Sequence, residues 1–218
     1  MKNLDFGCYK KLIFDIETTG LPKRTVENNK TKYIHPAQYS HYENVRIIEL
    51  GYVVLDWCDN VTLKKNFLIK HDGVNIVNSE IHGITNDMIS SEGVSLSTVL
   101  DEFYNDILDV KILISHNIEF DFTIVLSELY RSKRQDIIKQ LEKKWLYCTM
   151  INGTKFFKYS NYVKLIQLYK NFIGKDITQN HRALDDVLLC YDCYIKLKNE
   201  IQIFSIMDYS LQKSNNQT

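Results

Sequence analysis

The chain has little glycine (8 residues) and almost no proline (2), so it is neither collagen-like nor a Pro/Gly-rich linker. It has no formal net charge, with 27 Lys+Arg against 27 Asp+Glu. Many nucleic-acid-binding domains carry a basic excess that drives counterion release. Here any phosphate ligand must be held locally, by a patch or by metal ions. Long hydrophobic runs are missing too. Stretches such as Val53–Leu55 and Ile112–Ile114 fall far short of the ~20 apolar residues of a membrane span, which excludes a transmembrane helix. Cysteine is sparse and odd in number, with 5 residues: Cys8, Cys58, Cys148, Cys190 and Cys193. The start, Met1 to Lys11, has no apolar stretch and carries Asp5, unlike a signal or transit peptide. The expectation is a reducing, intracellular and cytoplasmic setting, with nucleus and virion left open.

What is present is an ordinary globular composition. Hydrophobic residues make up 44% and charged residues 25% of 218, which excludes a mainly disordered chain. A chain of this size closes a core without a disulfide or zinc staple. Cys190-Tyr191-Asp192-Cys193 has CxxC spacing, but no second pair completes a zinc site. The segment reads as helix interior, so buried thiols are preferred to a metal or redox role.

Periodicity gives the elements. Lys11–Glu17 reads as a strand broken by Gly20 and Pro22. Lys23–Asn44 is polar, mixed in charge and aperiodic, and long for a loop inside a domain. Val45–Asp56 and Val61–Lys70 are the second and third strands, with Asp59-Asn60 in the turn between them. Asn78-Ser79-Glu80 is placed as the cap of a short helix. Ser95–Leu108 is helical, with Leu96, Val99, Leu100, Phe103 and Ile107 on one face. Lys111–Ser115 is a short buried strand, Phe120–Arg131 a helix and Trp145–Met150 another strand. Tyr162–Phe172 is a helix that Gly174 ends, and Arg182–Ile201 is the last helix. A meander followed by alternating strand and helix predicts an α/β fold: a mixed sheet of antiparallel meander and parallel strands, flanked by helices. Ser210–Thr218 reads as a polar tail.

Four acids stand out. Asp15 and Glu17 are two apart on a strand, so both side chains share a face while Phe14 and Ile16 point away. Two such carboxylates repel and lose solvation, and a cation between them offsets both penalties; the rival reading is a solvated strand end. Asp121 follows the apolar Lys111–Ser115 strand, where open α/β sheets place their sites, though a first-turn acid also serves the helix dipole. His181-Arg182-Ala183-Leu184-Asp185-Asp186 opens the last helix. Helical geometry alone pairs His181 with Asp185, at i and i+4, provided that His181 lies within the helix. Ala183 is small where a helix needs to lie close to a sheet. Together these groups form a set of oxygen donors suited to Mg²⁺ or Mn²⁺ rather than zinc.

Phe14-Asp15-Ile16-Glu17-Thr18-Thr19-Gly20, His116-Asn117-Ile118-Glu119-Phe120-Asp121 and His181-Arg182-Ala183-Leu184-Asp185-Asp186 resemble the three motifs of the DEDDh 3′–5′ exonucleases. That family includes the proofreading subunit of bacterial DNA polymerase III. Ile81–Thr85, Tyr147–Met150 and Lys164–Tyr169 match further family segments, in order, over about residues 10 to 200. The resemblance implies a ribonuclease H-like fold, with a single exonuclease domain at 1–204, a polar insertion at 23–44 and a C-terminal tail at 205–218. It implies that Asp15, Glu17, Asp121 and Asp186 bind two Mg²⁺ (or Mn²⁺) and that His181 is the general base. Its spacing selects Asp186 over Asp185. The expected reaction is metal-dependent hydrolysis from 3′ ends of single-stranded DNA, of the proofreading or repair type, releasing nucleoside 5′-monophosphates.

An exoribonuclease of the same fold is the alternative, as is a non-catalytic module that binds nucleic acid beside a DNA polymerase subunit. On the substrate side the resemblance points to Thr18, Thr19, Leu21, Ile81, His82, Asn117 and Phe120. Leu21 would wedge between terminal bases and amides near Thr19 would meet the 3′ hydroxyl. For Ile81 and Phe120 plain core is the rival reading; for His82 it is a satisfied structural histidine. His116 is either a support for the third acid or a strand-end polar residue. Lys23, Arg24, Lys30 and Lys32, with Tyr33, His35, Tyr39 and Tyr42, form either a basic, aromatic flap over single-stranded nucleic acid or a mobile solvated loop. Ile201–Leu211 would dock a partner or pack on the core.

Overall fold

The structure is a computed structural model that describes residues 9–27, 29–200 and 206–208. Cys8, the tail Ser210–Thr218 and most of Ile201–Leu211 lie outside the described residues. The chain opens with β1 (Lys10–Thr18), a hairpin of β2 (Arg24–Glu27) and β3 (Lys30–Tyr33), then β4 (Ile47–Leu55) and β5 (Val61–Lys70). Two short helices follow, α1 (Ser79–His82) and α2 (Asn86–Glu92), then β6 (Val94–Ser95), α3 (Leu96–Ile107) and β7 (Val110–Ser115). Next come α4 (Ile118–Arg131), α5 (Gln135–Leu141), β8 (Trp145–Cys148) and α6 (Thr149–Phe156). The chain continues with α7 (Leu165–Ile173), α8 (Ala183–Glu200) and β9 (Ile206–Asp208).

Seven strands form one sheet in the order β6-β5-β4-β1-β7-β8-β9. β1, β4 and β5 are the expected antiparallel meander, while β7 and β8 continue the sheet in parallel with β1. β9 falls within the stretch read as a tail, and pairs antiparallel with β8. Alternation along β1 splits the core into two layers. Leu12, Phe14 and Ile16 pack with Val99, Phe103, Phe122 and Val125 of α3 and α4. Ile13 packs on the opposite face with Val53, Ile114, Leu168, Val187 and Cys190, under α7 and α8. Asp15 and Glu17 continue the Ile13 row, so the fold turns them toward α8. Cys190 and Cys193 are buried in α8, as read from the sequence.

Local chemistry sets the boundaries. The Ser95 hydroxyl accepts from the Thr98 N–H at 3.2 Å and starts α3. Gly174, at φ +75°, closes α7. Two readings shorten. The strand read as Trp145–Met150 ends at Cys148, because Thr149 begins α6; the helix read from Tyr162 begins at Leu165. Asn78 takes a left-handed φ of +60° before α1 without capping it through its side chain.

The stretch Lys23–Asn44 is not shapeless. It folds into the β2–β3 hairpin and a 3-10 turn at Tyr39–Tyr42. Its stem is tied down. Tyr42 is buried and its hydroxyl donates to the Ile34 carbonyl. Arg131 of α4 donates to the carbonyls of Tyr39 (3.3 Å) and Tyr42 (3.0 Å). Buried Glu128 sits between Arg131 and Arg46, each at 2.6 Å. Among the described residues no helix is long and apolar enough to cross a membrane.

Candidate active site: carboxylates at the end of the central strand

Asp15 and Glu17 lie opposite Gly51 and Glu49 of β4. Gly51 fixes how closely the last helix approaches. A Cβ there would lie 2.5 Å from the Leu184 nitrogen and 2.7 Å from the Ala183 carbonyl carbon. With Gly51 below and a fully buried Ala183 above, the first turn of α8 rests on the sheet beside Asp15. Asp186 is thereby buried against β1, while Asp185 points to solvent. His181 precedes the helix at φ +47°, so the i, i+4 argument for Asp185 does not apply. One ligand atom from each of Glu17, His181 and Asp186 lies within 4.8 Å of the others.

Asp121 comes in from the other side of β1, in the first turn of α4. Its Oδ2 accepts from the Ser115 hydroxyl at 2.7 Å, and the carboxylate also accepts from the backbone N–H of Ile16. The four acids disturb one another. Burial first, then the negative charges of Asp121, Asp186, Glu17 and Glu49, hold the Asp15 carboxyl well above the usual range. Burial and the same kind of crowding push Glu17 up to about 8. Asp121 is pushed up to about 7 by burial, against the hydrogen bonds it accepts. Burial also raises Asp186, with Gln179 and His181 opposing.

A divalent cation fits this donor set. Asp186 Oδ2 accepts from Gln179 Nε2 at 2.5 Å, but its Oδ1 is buried without a hydrogen-bond partner. Most of the donors are carboxylate oxygens, which suit Mg²⁺ or Mn²⁺; the one imidazole, of His181, stands beside them. Glu49 was not singled out from the sequence. It is fully buried, and accepts from Arg182, from Asn66 Nδ2 at 2.8 Å and from the Ala183 N–H at 2.9 Å. Its oxygens are therefore occupied by donors. The sequence did carry a signal: one acid inside an otherwise apolar strand.

The remaining expected residues line a cavity or are engaged within the fold, apart from Ile81, which is exposed away from both. Leu21, Asn117 and Phe120 line a cavity of about 510 Å³ with Pro22, Arg24 and Tyr33. Leu21 is 81% exposed, and Ile81 is 55% exposed, so neither is core. Phe120 is half-buried, packing on the core while facing the cavity. The others are engaged within the fold. The Thr18 hydroxyl donates to the Gly20 carbonyl at 2.8 Å. The Thr19 N–H donates to Arg46 O at 3.0 Å, and its hydroxyl bridges Asn44 O and the Arg46 N–H.

The two other histidines singled out from the sequence, His82 and His116, are structural in geometry. Buried His82 donates from Nε2 to Val77 O (3.2 Å) and accepts at Nδ1 from the Ile84 N–H (3.1 Å). His116 Nε2 donates to Val163 O (3.0 Å), which leaves Nδ1 to accept from the Thr149 hydroxyl (3.0 Å). Burial pushes the His116 ring down to about 4, so it is neutral.

Comparison with known proteins bears on the fold and the family. The fold is similar to E. coli exonuclease I solved with a dA16 oligonucleotide (16% identity, TM-score 0.62, 88% of this chain and 41% of that one). It is similar to a 3′-exonuclease solved in recognition of the histone mRNA stem-loop (16%, 0.57, 90% and 66%). It is also similar to S. pombe Pop2p in its Mg²⁺- and Mn²⁺-bound form (16%, 0.64, 88% and 84%). The chain thus spans about two-fifths of exonuclease I, and the ribonuclease H-like fold is the property shared. No curated protein matches at the level of sequence. The exonuclease family model RNase_T matches residues 12–194, and the chain belongs to that family.

Proposed function

We propose that the protein is a 3′–5′ exonuclease that hydrolyses single-stranded DNA one nucleotide at a time, with two divalent cations held by Asp15, Glu17, Asp121 and Asp186. The observation that carries this reading is the convergence of four buried or half-buried acids and His181 at the end of β1, with one Asp186 oxygen left without a partner. Divalent cations bound there supply charge compensation for the phosphoryl and leaving oxygens and lower the pKa of water.

The chain's own groups do the rest. An imidazole nitrogen of His181, beside the carboxylates of Glu17 and Asp186, takes the proton of the attacking water. The bond between phosphorus and the 3′ oxygen of the penultimate nucleotide breaks. A nucleoside 5′-monophosphate leaves, and the shortened strand keeps a 3′ hydroxyl. Leu21, Asn117 and Phe120 are the side chains that meet the terminal nucleotide. Hydrolysis of RNA is the second reading, favoured by the similarity to the 3′-exonuclease that recognises histone mRNA.

The test uses 3′-labelled DNA and RNA oligomers of one sequence, with Mg²⁺, with Mn²⁺ and with EDTA. The expected result is metal-dependent release of 5′-mononucleotides from DNA, abolished by Asp186→Ala and retained by Asp185→Ala. Release from RNA alone would replace DNA by RNA as the substrate. No release from either by wild type would overturn the reading. Activity lost in Asp185→Ala but kept in Asp186→Ala would reassign the fourth acid.

A further inference from the structure

The hairpin β2–β3 contributes almost nothing to the core, since Arg24–Glu27 are exposed throughout. Yet its stem is fastened by Tyr42, Arg131 and the Glu128 ion pairs. What the hairpin does build is a wall. The cavity beside Phe120 adjoins a second one of about 270 Å³, and Arg24, Tyr33 and Asn117 line both. The second continues past Lys32 to Ile151 and Tyr162. Through these shared residues the two adjoin as one trough along the hairpin, with Leu21 and Pro22 in its first part and Ile151 and Tyr162 in its second.

The trough has a defined chemistry at its midpoint. The Arg24 guanidinium lies 4.6 Å over the Tyr33 ring and donates to its hydroxyl at 2.6 Å. The Tyr33 ring is in turn 6.4 Å from Phe120, the residue before Asp121. Two aromatic rings, Phe120 and then Tyr33, followed by the Arg24 guanidinium, lead outward from Asp121. Unpaired bases stack on such planes, and phosphates pair with the guanidinium. A base held in a duplex has no free face to offer. In a chain without net charge, this is a local place for the strand to meet positive charge.

We infer that the Arg24–Tyr33 hairpin is a strand-holding subsite, which stacks an unpaired base upstream of the scissile phosphate and makes the protein prefer single strands longer than one nucleotide. The inference rests on the exonuclease reading for the position of the scissile phosphate, but it can fail separately. The variants are Tyr33→Ala and Arg24→Ala, with Tyr33→Phe as the conservative control; these side chains lie at the surface or half-buried, outside the catalytic cluster.

Two readouts are needed. The first is binding of a labelled decathymidylate by fluorescence anisotropy in Ca²⁺. Tyr33→Ala and Arg24→Ala are expected to weaken it about 5- to 150-fold, the worth of one stacked base, and Tyr33→Phe to bind more tightly than Tyr33→Ala. The second is steady-state hydrolysis of the p-nitrophenyl ester of thymidine 5′-monophosphate, which has no upstream base, against a trinucleotide. The alanine variants are expected to raise KM for the trinucleotide and leave the ester unchanged. Unchanged decathymidylate affinity overturns the subsite. Equal losses on ester and trinucleotide overturn its upstream placement. Failure of wild type to hydrolyse either substrate sinks the exonuclease reading, while the binding result still decides whether the trough holds a strand.

Discussion

Arg182 grips Glu49 with two nitrogens: its Nη2 lies 2.6 Å from Oε1, and its Nε lies 3.0 and 3.1 Å from the two carboxylate oxygens. The partners are 133 residues apart in the chain, one on β4 and one immediately before α8. The contact does more than neutralise a buried acid. Glu49 faces Glu17 across the strand pair and also accepts from the Ala183 N–H, so it fixes where the first turn of α8 begins. Asp186 and His181 lie on either side of that turn.

Glu49→Ala is therefore expected to act on stability and on the site together. Removing the acid strands a guanidinium that is 32% exposed, and frees the start of α8. A loss of about 3 kcal/mol is expected in urea denaturation, the low end for breaking a buried ion pair. Stabilisation by added Mn²⁺ should shrink with it, since Asp186, one of the proposed ligands, loses its anchor along with His181. A variant as stable as wild type would show that the pair is dispensable.

Asp15→Asn separates function from stability. Four crowded carboxylates are a burden on the fold when no cation is present. In EDTA the variant is expected to melt above wild type. With Mn²⁺ the order reverses, because binding to the native state stabilises by about 2.7 kcal/mol at a hundredfold excess over Kd, and the variant binds less. Differential scanning calorimetry with and without the ion reads both arms. Equal Mn²⁺ shifts in the two proteins would remove Asp15 from the ligand set.

His116 predicts a pH dependence. Its native value is about 4 against an ordinary 6.5, so between those limits the unfolded chain binds a proton that the native state does not. The stability tied to its neutral ring is complete above pH 6.5, falls as the pH is lowered and is lost below about 4. The span corresponds to about 3 kcal/mol. His116→Gln lacks this titration. The urea midpoints of wild type and variant, measured from pH 7 to 4, should converge as the pH falls; a constant difference would contradict the assignment.

Much of this architecture was readable from residue patterns. The alternation in Lys11–Glu17 and the helical spacing in Ser95–Leu108 report burial on one face, and burial is what the sheet and α3 impose. The hairpin at 24–33 was not readable in that way, because both its faces meet solvent and no apolar period marks it. α2, α5 and α6 are too short to establish a period of their own. The acids were singled out by motif spacing, which also preferred Asp186 to Asp185; the left-handed His181 that removes the helical argument for Asp185 is in no helical wheel. Glu49 was passed over although it is a charge in an apolar strand, and its partner lies too far along the chain for any local rule to supply it.

The ion pairs of Arg46, Glu128 and Arg131 give the molecule a seam. On one side lies the floor of carboxylates, built on β1 and α8; on the other, an excursion whose foot is fastened to α4 without using Asp15, Glu17, Asp121 or Asp186. Loops joined in this manner are interchangeable parts. On the strand-holding reading proposed above, trimming or replacing the tip between residues 24 and 33 would redraw which polymers are accepted and leave the carboxylates where they are.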